Sequence, residues 1–200
     1  MNDSSLSDLS PLQRRKRSAI LDGAKAVFLR QGFGLATMDD VASVAGVSKQ
    51  TVYRHFKSKE ALFVGLVISM CAEVGALASA QREQADGSPE VELRELGWLL
   101  ARNLIAPDFL RLYRAIVAEA ERLPELGEVF YENGAKLVRA FAADILRKRF
   151  DEPTAALRAA TFVQLVLGDA YMELSIGYAV PDVEARFEQQ IDEAVAVALR

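Results

Sequence analysis

Apolar residues recur at helical spacing almost from one end of this chain to the other, and that feature leaves it few folds. Positions three and four apart share one face of a helix, so Ile20, Ala24, Val27 and Phe28 read as a buried stripe. Alternation with a period of two, the mark of a half-buried strand, is nearly absent. Glycine and proline cut the pattern into pieces. The spacing predicts helices over about 14–31, 37–45, 48–56, 58–82, 90–105, 108–122, 125–149, 154–178 and 182–199. Gly32 and Gly46 stand at two ends, while Pro107, Pro124, Pro153 and Pro181 stand at or just before starts, where a missing N–H costs least. The expected fold class is all-α, with about nine helices and no sheet. The 200 residues can bury one sizeable core, or one core and a small satellite domain.

Two of the nine pieces are too short to be stable alone in water. They lie in "TMDDVASVAGVSKQTVYRHFKSKEAL", Thr37 to Leu62. Thr37 opens a capping box with Asp40 in place of the usual Glu, Gly46 supplies a turn with positive φ, and Ser48 caps the next helix. Ala42, Val44, Val47, Val52 and Phe56 are the apolar side that packs both pieces on the first helix, which makes a helix-turn-helix over 37–56. At about 100° per residue from Val52, Phe56 falls on the same buried side, and Gln50 and Arg54 point outward. Lys49 and Tyr53 flank that face on one side, Thr51 on the other. A short helix with such donors on its outer face suits the major groove of DNA.

Charge is distributed to match. The chain carries a net −4, yet residues 1–60 hold ten Lys/Arg against six Asp/Glu, and the other 140 hold fourteen against twenty-two. A basic end on an acidic body points to local anion binding. The run Arg14-Arg15-Lys16-Arg17 opposes the dipole of the helix it starts, a cost that a polyanion offsets. Lys57, Lys59 and the start of the fourth helix add charge and free N–H groups toward phosphate.

Other chemistries are poorly supplied. His55 is the sole histidine and Cys71 the sole cysteine, so the sequence offers neither a nucleophilic triad, a metal cluster nor a disulfide. Gly32 and Gly34 follow no strand and lack a third glycine, so they are no dinucleotide loop. No signal-peptide core opens the chain, and no charge-free apolar run exceeds Ala61 to Ala72, short of the roughly 18 residues a membrane span needs. The expectation is a cytoplasmic, non-enzymatic protein with no catalytic residue, cofactor, metal or membrane contact.

The segment Ile20 to Phe63, "ILDGAKAVFLRQGFGLATMDDVASVAGVSKQTVYRHFKSKEALF", resembles the DNA-binding domain of TetR-type transcriptional regulators. The likeness lies in "QGF", the "T-x-x-x-V-A" start, "AGVSK-x-T-V-Y-x-H-F" and the closing "K-x-K-E-A-L". A weaker likeness runs from Leu112 to Gly134, which resembles the C-terminal domain of the AefR-like branch. The resemblance implies phosphate contacts from Thr37, Thr51, Tyr53, His55 and Lys59, and base contacts from Lys49 and Gln50. Arg54 joins them on its outward position alone. Met38 and Asp39 occupy positions from which some members reach DNA, but being apolar and acidic they are left out here.

The expected organisation is a disordered arm over 1–13, a DNA-binding domain over 14–60, and a helical effector-binding and dimerisation domain over 61–200. For that body the resemblance implies homodimerisation through the last two helices, and an effector held between the fourth helix and those that follow. A stripe with Phe162, Val166, Leu167, Gly168, Tyr171, Phe187, Ile191 and Val195 is the expected interface, and intramolecular core is the competing reading. Phe63, Leu66, Met70, Trp98, Asn103, Phe109, Tyr113, Phe130 and Tyr131 are the candidate effector pocket, against the same competing reading. Glu119, Glu121, Glu125 and Glu128 would meet a cationic ligand unless they form a solvated face. The function expected is a homodimeric repressor released from palindromic double-stranded operator DNA by a small apolar or aromatic effector. An activator or effector-independent repressor of the same fold is the alternative, with an all-helical ligand carrier or enzyme beyond it.

Overall fold

The computed structural model describes residues 10–84 and 87–200, and every regular element among them is helical. In chain order they are α1 (Pro11–Leu35), α2 (Met38–Val44), α3 (Lys49–His55), α4 (Lys59–Gln84), α5 (Pro89–Ile105) and α6 (Pro107–Glu119). Next comes α7, which runs from Pro124–Phe130 through a π-helical turn, Tyr131–Ala135, into Lys136–Leu146. The last two are α8 (Glu152–Ser175) and α9 (Val183–Leu199). These nine helices sit where the periodicity put them.

The start of α1 differs from expectation. Ser10 accepts from Gln13 N–H, and the Gln13 side chain accepts from Ser10 N–H at 2.8 Å, a complete capping box with Pro11 just inside it. Residues 10–13 are therefore cap and helix rather than arm; the rest of the expected arm, 1–9, lies outside the described residues. At the other end Gly32, with φ 78°, breaks the helical geometry within the last turn of α1.

The core divides into two clusters, and the division does not follow the expected boundary after residue 60. One cluster joins α1, α2, α3 and the first half of α4, and it also takes in Leu112 and Ile116 of α6 and Leu126 of α7. The other joins α5, the second half of α7, α8 and α9, with Ala78 from the end of α4. Along α4, residues from Leu62 to Cys71 serve the first cluster and Ala78 the second. By length and composition α4 is apolar enough to cross a membrane, and 44% of that stretch is buried inside the protein. In the head, Phe56 turns a ring edge toward α4, where a Cβ on Gly65 would come within 2.6 Å of the Phe56 ring.

Most of the expected dimer stripe faces inward. Phe162, Val166, Phe187, Ile191 and Val195 belong to the second core cluster, and Leu167 and Tyr171 pack against it. The periodicity correctly marked an apolar face, but α8 and α9 satisfy it against α5, α7 and each other. Gly168 departs in another way. It has φ 46° and interrupts the helical geometry of α8, and the Gln190 amide of α9 fills the space beside it, donating to Leu165 O at 3.2 Å and Leu167 O at 3.3 Å. The close neighbour of Gly168 is thus a side chain of the same chain.

Candidate nucleic-acid interface and body cavity

The geometry of the reading head follows from its caps. Thr37 N–H donates to Asp40 Oδ2 at 3.1 Å, Asp40 N–H donates back to Thr37 Oγ1 at 3.1 Å, and the Thr37 hydroxyl donates to the same carboxylate at 2.7 Å. Those bonds from Thr37, joined by one from the Gln31 amide, hold the Asp40 carboxyl below its ordinary value. Gly46 turns the chain with φ 64°, and Ser48 caps α3 by accepting from Thr51 N–H at 3.2 Å. Val52 and Phe56 are buried in the head core, so α3 is fixed with its opposite face outward.

On that face Gln50, Tyr53 and Arg54 are exposed, as expected for residues that meet DNA. Lys49 is exposed as well, but its ammonium lies 2.8 Å from the Asp39 carboxylate at the start of α2, an ion pair that raises its pKa. Asp39 was set aside on sequence; the structure makes it the partner of a candidate base-reading side chain. Met38 is buried, consistent with leaving it out. Thr37 stays at the surface with its hydroxyl and N–H both committed to Asp40.

Two expected phosphate contacts are placed elsewhere. Thr51 is 8% exposed, and its hydroxyl is 2.8 Å from Ser48 Oγ, so its flank of α3 is covered while the Tyr53 flank is open. Lys59 turns away from α3 altogether. Its ammonium donates to the carbonyls of Phe33 at 2.8 Å, Ala36 at 3.0 Å and Gly34 at 3.2 Å, and lies 4.6 Å from the centre of the Phe33 ring. Beyond the break at Gly32 these carbonyls have lost the helical ladder, and the ammonium pins the α1–α2 connection to the start of α4.

His55 is half-buried in a positive environment. Its Nε2 is buried without a hydrogen-bond partner, and burial, then Arg54, Arg17 and Lys16, lower its pKa. The Arg17 guanidinium lies 4.5 Å from the centre of the Phe56 ring, so the basic run at the start of α1 comes alongside the end of α3. Lys16, Arg17, Arg54 and His55 therefore share one corner, whose positive charge a phosphate would offset.

The body contains a cavity of about 250 Å³ walled by α4, α5, α6, α7 and α8. Five candidates line it: Asn103, Phe109, Tyr113, Phe130 and Tyr131. The other four do not. Phe63 and Leu66 are buried in the head core and Met70 packs against it, while Trp98 packs against the second cluster. None of Glu119, Glu121, Glu125 and Glu128 reaches the cavity lining. Sequence reasoning missed Cys71, Val74, Leu100, Leu104, Arg139, Phe141, Val163, Leu167 and Tyr171, which also line it. Single apolar residues at helical spacing carry no mark that separates a cavity wall from filled core, so no signal would have found most of them. The π-helical turn Tyr131–Ala135 is part of the lining, and such turns are common at functional sites.

An aromatic series runs across the cavity: Phe109 to Phe130 at 6.2 Å between ring centres, Phe130 to Tyr113 at 5.8 Å, and Tyr113 to Tyr171 at 5.4 Å. Burial pushes the Cys71 thiol up to about 11 and the Tyr171 hydroxyl above its ordinary value, so both are neutral near pH 7. A protonated buried thiol is no redox sensor. Among the described residues no group of His, Cys, Asp and Glu is arranged to hold a metal.

The description "Bacterial regulatory proteins, tetR family" matches residues 20–66, and "AefR-like transcriptional repressor, C-terminal domain" matches residues 91–200. An HTH-type transcriptional repressor of Mycobacterium tuberculosis is 32% identical over 171 residues, covering 81% of this chain and 83% of its own length. A solved regulator from Mesorhizobium loti, assigned to the TetR family, superposes with a TM-score of 0.81 at 27% identity, covering 95% of this chain and 98% of its own. A flavonoid-responsive regulator superposes with a TM-score of 0.70 at 30% identity, covering 93% and 96% respectively.

Proposed function

The chain belongs to the TetR family of DNA-binding transcriptional regulators, and we propose that it is a homodimeric repressor released from a palindromic operator by a small aromatic or apolar effector. The observation that carries this reading is the double use of α6 and α7. Phe109 and Tyr113 of α6 line the cavity while Leu112 and Ile116 of the same helix are buried in the head core. In α7, Phe130 and Tyr131 line the cavity and Leu126 is in the head core. A ligand that moves either helix moves part of the head, because packed cores shift as units. Helix α4 has the same double use, with Cys71 in both the cavity lining and the head core, so α4, α6 and α7 all join the two.

An effector that prefers the state with wrongly spaced recognition helices lowers operator affinity by linkage. The relative named as a repressor supports the sign, and the flavonoid-responsive neighbour supports an aromatic effector. With the inner stripe used as core, the dimer face falls on the outer side of α8 and α9. There Leu157 is 70% exposed and Ile176 75% exposed, with Thr161, Gly168, Met172, Ala185 and Ala196 also open. Two copies joined on a two-fold axis there present two α3 helices to one duplex.

The test is selection of a randomised duplex pool by the purified protein at near-physiological salt, followed by sequencing. A two-fold-related motif is the expected result. Retention that is weak, salt-sensitive and without sequence preference counts against the reading.

A further inference from the structure

We infer that the body cavity takes an aromatic effector bearing an anionic oxygen, a carboxylate or an acidic phenol, with Arg139 as its counter-ion. The inference rests on the effector-site reading above and adds the chemistry of the ligand. Arg139 lines the cavity, and no aspartate or glutamate lines it with Arg139. No carboxylate pairs with that guanidinium among the described residues, and its Nε–H is buried with no acceptor. One terminal N–H donates to the Tyr131 hydroxyl at 3.1 Å, and the guanidinium lies 5.6 Å from the centre of the Tyr131 ring. A guanidinium against mostly apolar walls with a donor unused is costly in isolation, and its planar fork matches an oxyanion.

Four of the other polar groups in the lining are committed or uncharged. Asn103 and Asn133 each donate a side-chain N–H to a carbonyl one turn back in their own helix, Leu99 O and Val129 O, at 2.8 Å. The Cys71 thiol and Tyr171 hydroxyl are neutral, so neither supplies the missing negative charge. The series Phe109, Phe130, Tyr113, Tyr171 offers ring faces and edges to a planar ligand. Size narrows the class further. A cavity of about 250 Å³ lies below the roughly 300 Å³ at which drug-sized sites begin, so the ligand has one or two rings.

Isothermal titration of the full chain, without DNA, with 2-naphthoate and its neutral isostere 2-naphthamide tests this. The acid is expected to bind at least about tenfold tighter, the worth of a charge-assisted hydrogen bond. In Arg139→Gln that preference falls to about twofold or less, and Arg139→Lys, which keeps the charge and loses the fork, retains part of it. Val74→Trp, which fills the cavity from α4, weakens both probes and ties the binding to this site. An amide that binds as tightly as the acid to the unaltered protein overturns the anionic ligand and leaves the cavity as an effector site. A preference that survives in Arg139→Gln overturns the role of Arg139. Binding of neither probe at about 1 mM, where even weak ligands register, overturns both the inference and the aromatic-effector reading beneath it.

Discussion

Replacing Lys59 by methionine separates a pin inside the head from a contact to DNA, two roles that predict opposite results. The ammonium donates to three carbonyls at 2.8 to 3.2 Å and lies over the Phe33 ring. A hydrogen bond to a charged group is worth about 1.5–3 kcal/mol. The three share one ammonium and one of them is exposed, so they do not add; about 2 kcal/mol is taken for the set. The cation–π contact adds about 0.5–1 kcal/mol. Loss of the side chain therefore costs about 3 kcal/mol, which at about 2–4 °C per kcal/mol for a chain of this size lowers Tm by about 6–12 °C. Operator affinity measured against salt is the second assay, at a temperature where the variant stays folded. A lysine that neutralises one phosphate contributes a slope of about 0.9, whereas a pinning lysine contributes none. Lys59→Met with an unchanged Tm and a slope lower by about one unit per half-site would refute the placement of this side chain.

Three further outcomes follow from the same geometry. Asp39→Asn frees Lys49 and removes an acid from the DNA-facing side, so affinity rises several-fold on all sequences at low salt; an unchanged affinity in filter binding means the ion pair is already open on DNA. His55 is held below its ordinary pKa in the free protein, and a nearby phosphate favours its charged form, so operator binding takes up a proton and tightens as pH falls through the window below about 6.5. The same depressed value makes the unfolded chain bind more protons, so without DNA its contribution to stability is complete above about pH 6.5 and is lost as pH falls through the folded pKa; His55→Gln should flatten both profiles. Gly168→Ala places a Cβ 1.8 Å from Gln190 Nε2 at a φ of 46°. It should lower Tm by several degrees, and pairing it with Gln190→Ala should recover part of that loss but not the part due to the backbone.

Local signals made much of this protein legible. Thr37, Gly46 and Ser48 set the head's turn and caps through bonds to residues within a few positions, and the structure keeps all three in those roles. The outward face of α3 followed from helical geometry once Val52 was taken as buried, and Gln50, Tyr53 and Arg54 lie on it. The wheel treats both flanks of a helix alike, though, so it could not say that packing covers Thr51 and leaves Tyr53 open. The cavity was half legible for a related reason. Phe109, Tyr113, Phe130 and Tyr131 drew notice as aromatics, yet Phe63 and Trp98 have the same character and fill the cores beside it.

The sequence by itself determined the helices, most of their ends, the helix-turn-helix and the family, because each is written in residues near one another or in a motif read as a unit. Only the tertiary structure decided what each side chain spends its donors on. Lys59 is held by a carbonyl 26 positions away, Lys49 by a carboxylate ten positions away, and the break at Gly168 by an amide that bonds a carbonyl 23 positions from it. It also turned most of the expected dimer stripe inward and left Arg139 beside the cavity with no counter-ion among the described residues. A hydrogen-bond donor or an apolar face is a local property of the chain. The partner that satisfies it is chosen by packing between elements distant in sequence, and periodicity carries no record of that choice.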